Sequence, residues 1–491
     1  MDICRRSFGT CVLGGLAGGC ALALQPRPKL LILIVLQQFR PEYLDAAGPQ
    51  LAAGGLKRLL DKGAWFPDCR HAASTFPGTT LATLATGCWP SEHGIVAESW
   101  YDRPSGRPVA ASSEALLATT LCAQVAAEPR TRVAVISLDG PQGCLFAGTP
   151  QASVYWMDAH GRFVPRGDTP EWLPPFNGLM PVENARGAQW LAAGARQGAP
   201  PLRTLSFDPA HPEQFLALYM ASPFSQTAQF DLLGEMLVRE RLGQGSTFDF
   251  VTVLCGASEL LGYEEGGRSP LMPQMMLQLD KRIEALLAQL NRAVGDGGYN
   301  LVLAGAHGAP PLPAADARTR LSVNGETVAQ AVDKALAASG AGHVRKYLYP
   351  FLYLDPAGDG DGEMARPVAA RAALDLDPVA GYYAADGDCS TQGEWARRFA
   401  NSFHARRSGD LMLSYRPEYV EDYGQNRGIS YGSLYAYDVR VPLCFYGPQF
   451  RAGVFESPVE SVDVAPTLAR AMGAAAPSSS VGRVLGEALL P

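Results

Sequence analysis

The chain lacks the features that define several common protein classes. Its 491 residues carry a formal net charge of only −7, and 18% of them are charged. So small a charge provides no basic surface for nucleic acid and no polybasic patch for anionic lipid. No internal repeat or low-complexity tract is present, and 47% of the residues are hydrophobic. We therefore expect a folded globular chain with no nucleic-acid partner.

The cysteines lack the spacing of a structural metal site. Three of the ten cysteines fall in the first 24 residues, and the seven beyond them form no C-x-x-C pair. A zinc ribbon is therefore not expected. One or two disulfides are open to an exported chain, although sequence alone does not pair them. Cys255 and Cys444 lie in apolar runs and are predicted to be buried thiols.

The N-terminus has an apolar run that is too short to cross a membrane. The run covers residues 11–24, follows two arginines at positions 5 and 6, and contains a small-x-small cleavage site, Ala-Leu-Ala, at residues 21–23. A bilayer needs about 20 apolar residues. This pattern predicts a signal peptide over residues 1–24 with twin-arginine character. We expect an exported, periplasmic or extracellular protein without a transmembrane span. Residues 16–20 resemble a lipoprotein cleavage site, so a lipid anchor is one alternative to simple export. Retention of the segment is another.

Apolar runs that alternate with helical patterns predict an α/β fold. Residues 30–36 read Leu-Leu-Ile-Leu-Ile-Val-Leu, which is typical of a central parallel strand covered on both faces. Apolar positions across residues 275–294 follow helical spacing, and Gly295 is a suitable C-terminal cap. The sequence therefore predicts a sandwich with a mostly parallel sheet and helices on both faces. Further strands are predicted at residues 132–137, 248–255, 299–304 and 441–446.

Two long segments interrupt this alternation, at about residues 145–245 and 311–427. Ligands of α/β proteins bind at the carboxyl ends of the strands, and insertions there often form a cap. We interpret residues 25–491 as a single domain with two cap insertions. An unidentified small molecule or protein is the expected partner of the pocket beneath them.

Several blocks then occur in a recognisable order. They are Thr-Phe-Pro-Gly from Thr75, His-Gly-Ile from His93, Trp-Tyr-Asp from Trp100, Ala-His-Gly from Ala306, residues 436–448, and residues 463–485. Together they resemble the alkaline phosphatase superfamily, particularly its threonine-nucleophile phosphatases and its type I phosphodiesterase/nucleotide pyrophosphatase branch. The resemblance implies the alkaline phosphatase-like fold and hydrolysis of phosphate esters. It also implies Thr75 as nucleophile and two zinc ions about 4 Å apart, held by aspartates and histidines.

The chain departs from that family at most of the positions that carry its chemistry. Gln37, Ala306 and Tyr431 bring an amide, a methyl group and a phenol where the family has two aspartates and a histidine, and these cannot replace strong zinc ligands. No zinc pair is therefore expected, and at most one weak divalent cation. The former metal-ligand positions are Gln37, Glu259, Tyr263, Ala306, His307 and Tyr431, and the former phosphate-contact positions are Glu98 and Asp139.

These departures leave three hypotheses. The leading one is a pseudoenzyme that binds or scaffolds, in which Thr75 is a vestigial nucleophile that caps the helix beginning near Pro77, His307 is a possible base or a buried histidine, and Glu259 pairs with Arg or Lys. The alternative is an active phosphoric or sulfuric ester hydrolase that uses Thr75 with one non-zinc cation, or a metal-free Thr75-His307-Glu259 relay. In the third, cap aromatics hold a neutral or cationic molecule, such as a sugar or an amine.

Overall fold

The computed structural model describes residues 28–490 except 180–181, 311–320, 359–361, 418 and 423–428. The predicted signal peptide, residues 1–24, and parts of the second predicted insertion lie outside the described residues. Within the part of the chain that is described, no helix has both the length and the apolar character needed to cross a bilayer.

The strands and helices are numbered in chain order. The strands are Leu30–Leu36 (β1), Ala64–Arg70 (β2), Ser99–Asp102 (β3), Arg107–Ala110 (β4), Arg132–Ile136 (β5), Ser153–Met157 (β6), Phe163–Pro165 (β7), Gln189–Trp190 (β8), Arg203–Thr204 (β9), Asp249–Cys255 (β10), Tyr299–Gly305 (β11), Leu321–Val323 (β12), Gly342–Leu348 (β13), Phe351–Pro356 (β14), Val379–Ala384 (β15), Leu411–Tyr415 (β16), Tyr419–Glu421 (β17), Arg440–Tyr446 (β18), Gly453–Val454 (β19) and Val459–Glu460 (β20). The α-helices are Pro41–Ala47 (α1), Leu56–Lys62 (α2), Pro77–Thr86 (α3), Pro90–His93 (α4), Leu121–Ala126 (α5), Gly140–Ala147 (α6), Leu173–Leu179 (α7), Pro212–Met220 (α8), Pro223–Arg239 (α9), Ala257–Glu265 (α10), Leu271–Val294 (α11), Gly325–Ser339 (α12), Ala365–Leu374 (α13), Glu394–Ser402 (α14), Ala436–Val439 (α15) and Val464–Met472 (α16).

A ten-stranded sheet forms the centre of the molecule. Its order is β19-β2-β18-β11-β1-β10-β5-β6-β7, with β20 beside β2. Strands β11, β1, β10, β5 and β6 are parallel to one another, whereas β18 runs antiparallel to both β11 and β2. The predicted α/β fold with a mostly parallel sheet is confirmed, and the strand predicted at residues 441–446 is present as the antiparallel β18.

Strand β1 shows why the sheet is buried on both faces. Leu30, Ile32 and Ile34 pack into one apolar cluster with α11, while the alternate residues Leu31 and Leu33 pack into a second cluster on the opposite face. Burying each such side chain stabilises the fold by about 1.5–3 kcal/mol. Because helices cover both faces of β1, its residues are apolar at every position and do not alternate with polar ones.

A second, smaller unit lies between residues 321 and 421. It contains a four-stranded antiparallel sheet, β13-β14-β16-β15, with α12 and α13 packed against it around a core of its own. Residues 145–245, predicted as a cap insertion, also contribute β6 and β7 to the central sheet and α9 to its helical face. The insertion boundaries themselves stay a prediction.

The described cysteines are free thiols, and no disulfide joins them. Cys255 and Cys444 are buried, as predicted.

Candidate functional site

The predicted site residues follow the carboxyl ends of neighbouring strands. Gln37 comes directly after β1, Ala306 and His307 after β11, Asp139 after β5, and Glu259 in the helix that follows β10. Carboxyl ends of parallel strands meet at one edge of a sheet, where α/β proteins bind ligands. Strand β2 runs in the direction of β11, because both are antiparallel to β18, so the segment with Thr75 reaches the same edge.

A cavity of about 510 Å³ opens at this edge, beneath the second unit. Four of the predicted positions line it, namely Glu98, Glu259, Tyr263 and Tyr431. Thr75, Gln37, Ala306 and His307 are buried and do not belong to the lining. The other described lining residues are Phe76, Pro77, Ser99, Gln142, Asn324, Gly325, Glu326, Tyr347, Leu348, Tyr349, Glu421, Asp422 and Ile429.

Thr75 does not cap the following helix. The residue at the N-cap of α3 is Phe76, and no side chain caps this end. Instead, Thr75 Oγ1 accepts a hydrogen bond from the Gly432 N–H at 2.8 Å. Gly432 has φ of 95°, and a Cβ there would lie 2.7 Å from the Phe76 ring, so only glycine permits this approach. The cap prediction is wrong because Thr75 lies one residue too early, and its hydroxyl faces a distant loop.

Gln37 is held by a second glutamine. Gln37 Nε2 donates to Gln142 Oε1 at 2.6 Å. Asp139 is the N-cap of α6 and accepts from the Gln142 N–H at 2.8 Å. The Asp-x-x-Gln spacing is the sequence signal for this cap, yet the Gln142 side chain pairs with Gln37 and not with the cap residue. Asp139, predicted to be a former phosphate-contact position, thus has a structural role as the N-cap of α6.

Tyr431 is tied to a residue that sequence reasoning missed. Its hydroxyl donates to Gln38 Oε1 at 3.0 Å, and burial raises the pKa of this phenol well above its usual value. Gln38 adopts φ of 53°, a left-handed conformation that is uncommon outside glycine. No sequence pattern indicates that conformation. A neutral phenol engaged as a donor is a poor metal ligand.

His307 is fully buried beside Tyr431. Its Nδ1–H donates to the Gly308 carbonyl at 2.8 Å, and its ring meets the Tyr431 ring edge-on with centroids 4.5 Å apart. Burial lowers the pKa of His307 to about 4, so the imidazole is neutral. Its Nε2 has no hydrogen-bond partner among the described residues. The hydrogen bond from Thr75 to His307 that the metal-free relay requires is therefore absent from this structure.

Two glutamates line the cavity. Glu98 Oε1 accepts from the Gly78 N–H, in the first turn of α3, at 2.9 Å. Although Glu98 reaches solvent through the cavity, partial desolvation by the surrounding protein raises the pKa of its carboxyl group. Burial, reinforced by the charges of Glu98 and Asp139, raises the pKa of Glu259 to about 8. The predicted Arg or Lys partner of Glu259 is not found among the described ion pairs, so that prediction is wrong for the described part of the chain.

The described residues do not fit two zinc ions. No group of three or more His, Cys, Asp or Glu side chains in the described ranges is arranged to hold a metal. Ala306 has no donor atom, the Gln37 amide is paired with Gln142, and the Tyr431 hydroxyl donates to Gln38. Catalytic zinc typically has three protein ligands, and the described residues at the predicted metal-ligand positions do not supply three for each of two ions.

Two buried carboxyl groups near the site were also missed. Asp438 Oδ2 accepts from the N–H and hydroxyl of Ser433, and burial raises the pKa of Asp438 to about 7. Glu421 accepts from the hydroxyls of Tyr347 and Tyr415 at 2.7 and 2.9 Å. Burial raises the pKa of Glu421 to about 7 as well. These contacts join distant segments, so no local motif identifies them.

Comparison with known proteins agrees with this architecture. Residues 31–428 match the family described as type I phosphodiesterase / nucleotide pyrophosphatase, and the chain belongs to this family, within the alkaline phosphatase superfamily. It is 24% identical to alkaline phosphatase PafA of Elizabethkingia meningoseptica, over 98% of each chain. It is 25% identical to alkaline phosphatase PhoK of Sphingomonas sp, over 93% of this chain and 91% of the relative.

The solved structures show the same fold. The crystal structure of wild-type PafA superimposes with a TM-score of 0.82 at 22% identity, over 95% of this chain and 99% of that one. A phosphonoacetate hydrolase of Sinorhizobium meliloti superimposes less closely, with a TM-score of 0.56 at 17% identity, over 92% and 97% of the two chains. The predicted alkaline phosphatase-like fold is thereby confirmed.

Proposed function

We propose that this chain is an exported pseudoenzyme of the phosphodiesterase family, in which the former catalytic pocket serves binding or scaffolding. Its relatives include proteins named as alkaline phosphatases. This chain shares their fold, and we propose that it differs from them in the chemistry of its site.

One observation carries the proposal: the Glu98 carboxylate bonds to the Gly78 N–H at the start of α3. Free N–H groups at a helix N-terminus form a natural site for an anion such as phosphate. Here the Glu98 carboxylate is the anion at this helix N-terminus. A phosphate ester would have to displace the Glu98 carboxylate from this N–H, and no Lys, Arg or His among the described lining residues would neutralise the charge of the two anions, so electrostatic repulsion opposes its binding.

The magnitude of the catalytic problem supports the same conclusion. The slowest phosphate monoester hydrolyses need acceleration of up to about 10²¹-fold, whereas one general base supplies about 10²–10⁴-fold. His307 does not contact Thr75 among the described hydrogen bonds, so even this contribution is missing. The rival hypothesis, an active phosphoric or sulfuric ester hydrolase, would need a cation, and no group of three or more His, Cys, Asp or Glu side chains in the described ranges is arranged to hold one.

Turnover of activated esters tests the proposal. The purified chain is incubated with p-nitrophenyl phosphate, bis-p-nitrophenyl phosphate and p-nitrophenyl sulfate, with and without added zinc, beside Thr75→Ala. We expect no release of p-nitrophenol that depends on Thr75. Zinc-dependent turnover that Thr75→Ala abolishes would establish the rival hydrolase.

Export is part of the proposal and rests on the first 24 residues alone. The intact mass of the chain recovered from the periplasm of an expressing bacterium should correspond to removal of this segment. A chain that stays in the cytoplasm at full mass would contradict export, and a mass increased by acyl chains on Cys20 would indicate the lipid anchor instead.

A further inference from the structure

The cavity at the sheet edge combines acidic and aromatic side chains. Its volume of about 510 Å³ falls in the range of small-molecule sites, about 300–1,000 Å³. Among its described lining residues there is no Lys, Arg or His. The acidic members are Glu98, Glu259, Glu326, Glu421 and Asp422, and the aromatic members are Phe76, Tyr263, Tyr347, Tyr349 and Tyr431.

Glu259 is a cavity carboxyl group that has no partner among the described hydrogen bonds and ion pairs. Glu421 is satisfied by two tyrosine hydroxyls, and Glu98 by the Gly78 N–H. Glu259 is only partly exposed, at the wall of the cavity. Ionising a half-buried carboxyl group without a partner is costly unless a ligand supplies the positive charge.

The aromatic rings favour an organic cation over a metal ion. Phe76 and Tyr349 pack edge to face, with centroids 5.9 Å apart, and Tyr349 stacks on Tyr415 at 5.2 Å, which fixes these rings at the cavity wall. Aromatic faces attract ammonium groups. Mg²⁺ and Ca²⁺ need several oxygen ligands in a defined geometry, and no described group of three carboxylates provides it.

We propose that this cavity binds a small organic cation with an ammonium group, which lies against the aromatic wall and neutralises Glu259. The inference deepens the proposed function and rests on it, because a pocket that held zinc and phosphate would exclude such a ligand. The ligand class thus has the opposite charge to the family's phosphate esters.

Calorimetric titration with tetramethylammonium and 1,4-diaminobutane tests the inference. We expect saturable binding of at least one of them to a single site, with loss of affinity at high salt. Glu259→Gln should weaken binding about 10- to 100-fold, which is typical of losing a charged partner. Glu128→Gln, at an exposed position outside the cavity, is the matched control and should bind as the wild type does.

Two further measurements keep the test decisive. Tyr263→Leu removes a ring from the lining and should weaken tetramethylammonium binding even if Glu259→Gln fails to fold. Lack of binding of either amine at about 10 mM, equal binding by Glu259→Gln, or displacement by Mg²⁺ or inorganic phosphate would overturn the inference. The proposed function would survive these outcomes, since it fails only if zinc-dependent, Thr75-dependent turnover is found.

Discussion

Replacement of Glu259 by glutamine should stabilise the protein at alkaline pH. The side chain keeps its size in Glu259→Gln, but the charge that burial, Glu98 and Asp139 disfavour is removed. Most single substitutions are expected to destabilise a protein. Glu259→Gln should instead increase stability, because the folded environment disfavours the ionised carboxylate of Glu259.

The magnitude follows from the displaced pKa. A pKa that is raised from 4.5 to about 8 on folding corresponds to a limiting cost of about 5 kcal/mol, at about 1.4 kcal/mol per pH unit. Below about pH 4.5 the Glu259 carboxyl is protonated in both the folded and the unfolded chain, so its full contribution to the stability of the fold is present. That contribution is lost progressively as the pH rises through about 8. Because solvent reaches Glu259 through the cavity, we expect a smaller net gain for the variant, about 2–4 kcal/mol near pH 8.

Urea unfolding of wild type and Glu259→Gln at about pH 5 and pH 8 measures this difference. Asp438 and Glu421 also titrate near neutrality, but both proteins contain them, so their effect cancels in the comparison. We expect similar stability at the lower pH and a more stable variant at the higher pH. A variant that is less stable at pH 8 would show that Glu259 has a cationic or metal partner, and the reasoning would be refuted.

Substitutions at Thr75 and Glu98 test two further contacts of the site. Thr75→Ala leaves the buried Gly432 N–H without its acceptor and should lower the free energy of unfolding by about 1–3 kcal/mol. Thr75→Ser keeps the acceptor and should remain close to wild type; equal losses in both would show that the hydroxyl contact is unimportant. Glu98→Asn removes the internal anion and should increase the affinity for inorganic phosphate in calorimetric titration, whereas unchanged affinity would disprove the blocking role of Glu98.

The parts of the fold that could be predicted are those specified by local sequence. Residues 30–36 form a strand with the predicted bounds, because a seven-residue apolar run has few alternatives. The helix ending at Val294 was predicted from its apolar spacing and Gly295. The direction of β18 could not be predicted, because it depends on its pairing with β11 and β2.

The residues of the site could be predicted from the sequence, but their contacts could not. The ordered motifs identified Gln37, Thr75 and His307, and the structure places them at one edge of the sheet. Their partners come from distant segments: Gly432 is 357 residues from Thr75, and Gln142 is 105 residues from Gln37. Only the folded chain brings such groups together, which is why the helix-cap role assigned to Thr75 was wrong.

The zinc content of the purified chain tests the central claim most directly. Elemental analysis after dialysis against micromolar zinc would compare the wild type with a variant that combines Gln37→Asp, Glu259→Asp, Tyr263→His, Ala306→Asp and Tyr431→His. We predict less than one zinc per wild-type chain and an increase in the restored variant, since aspartate and histidine are zinc's ligands. Two tightly held zinc ions in the wild type would contradict the account.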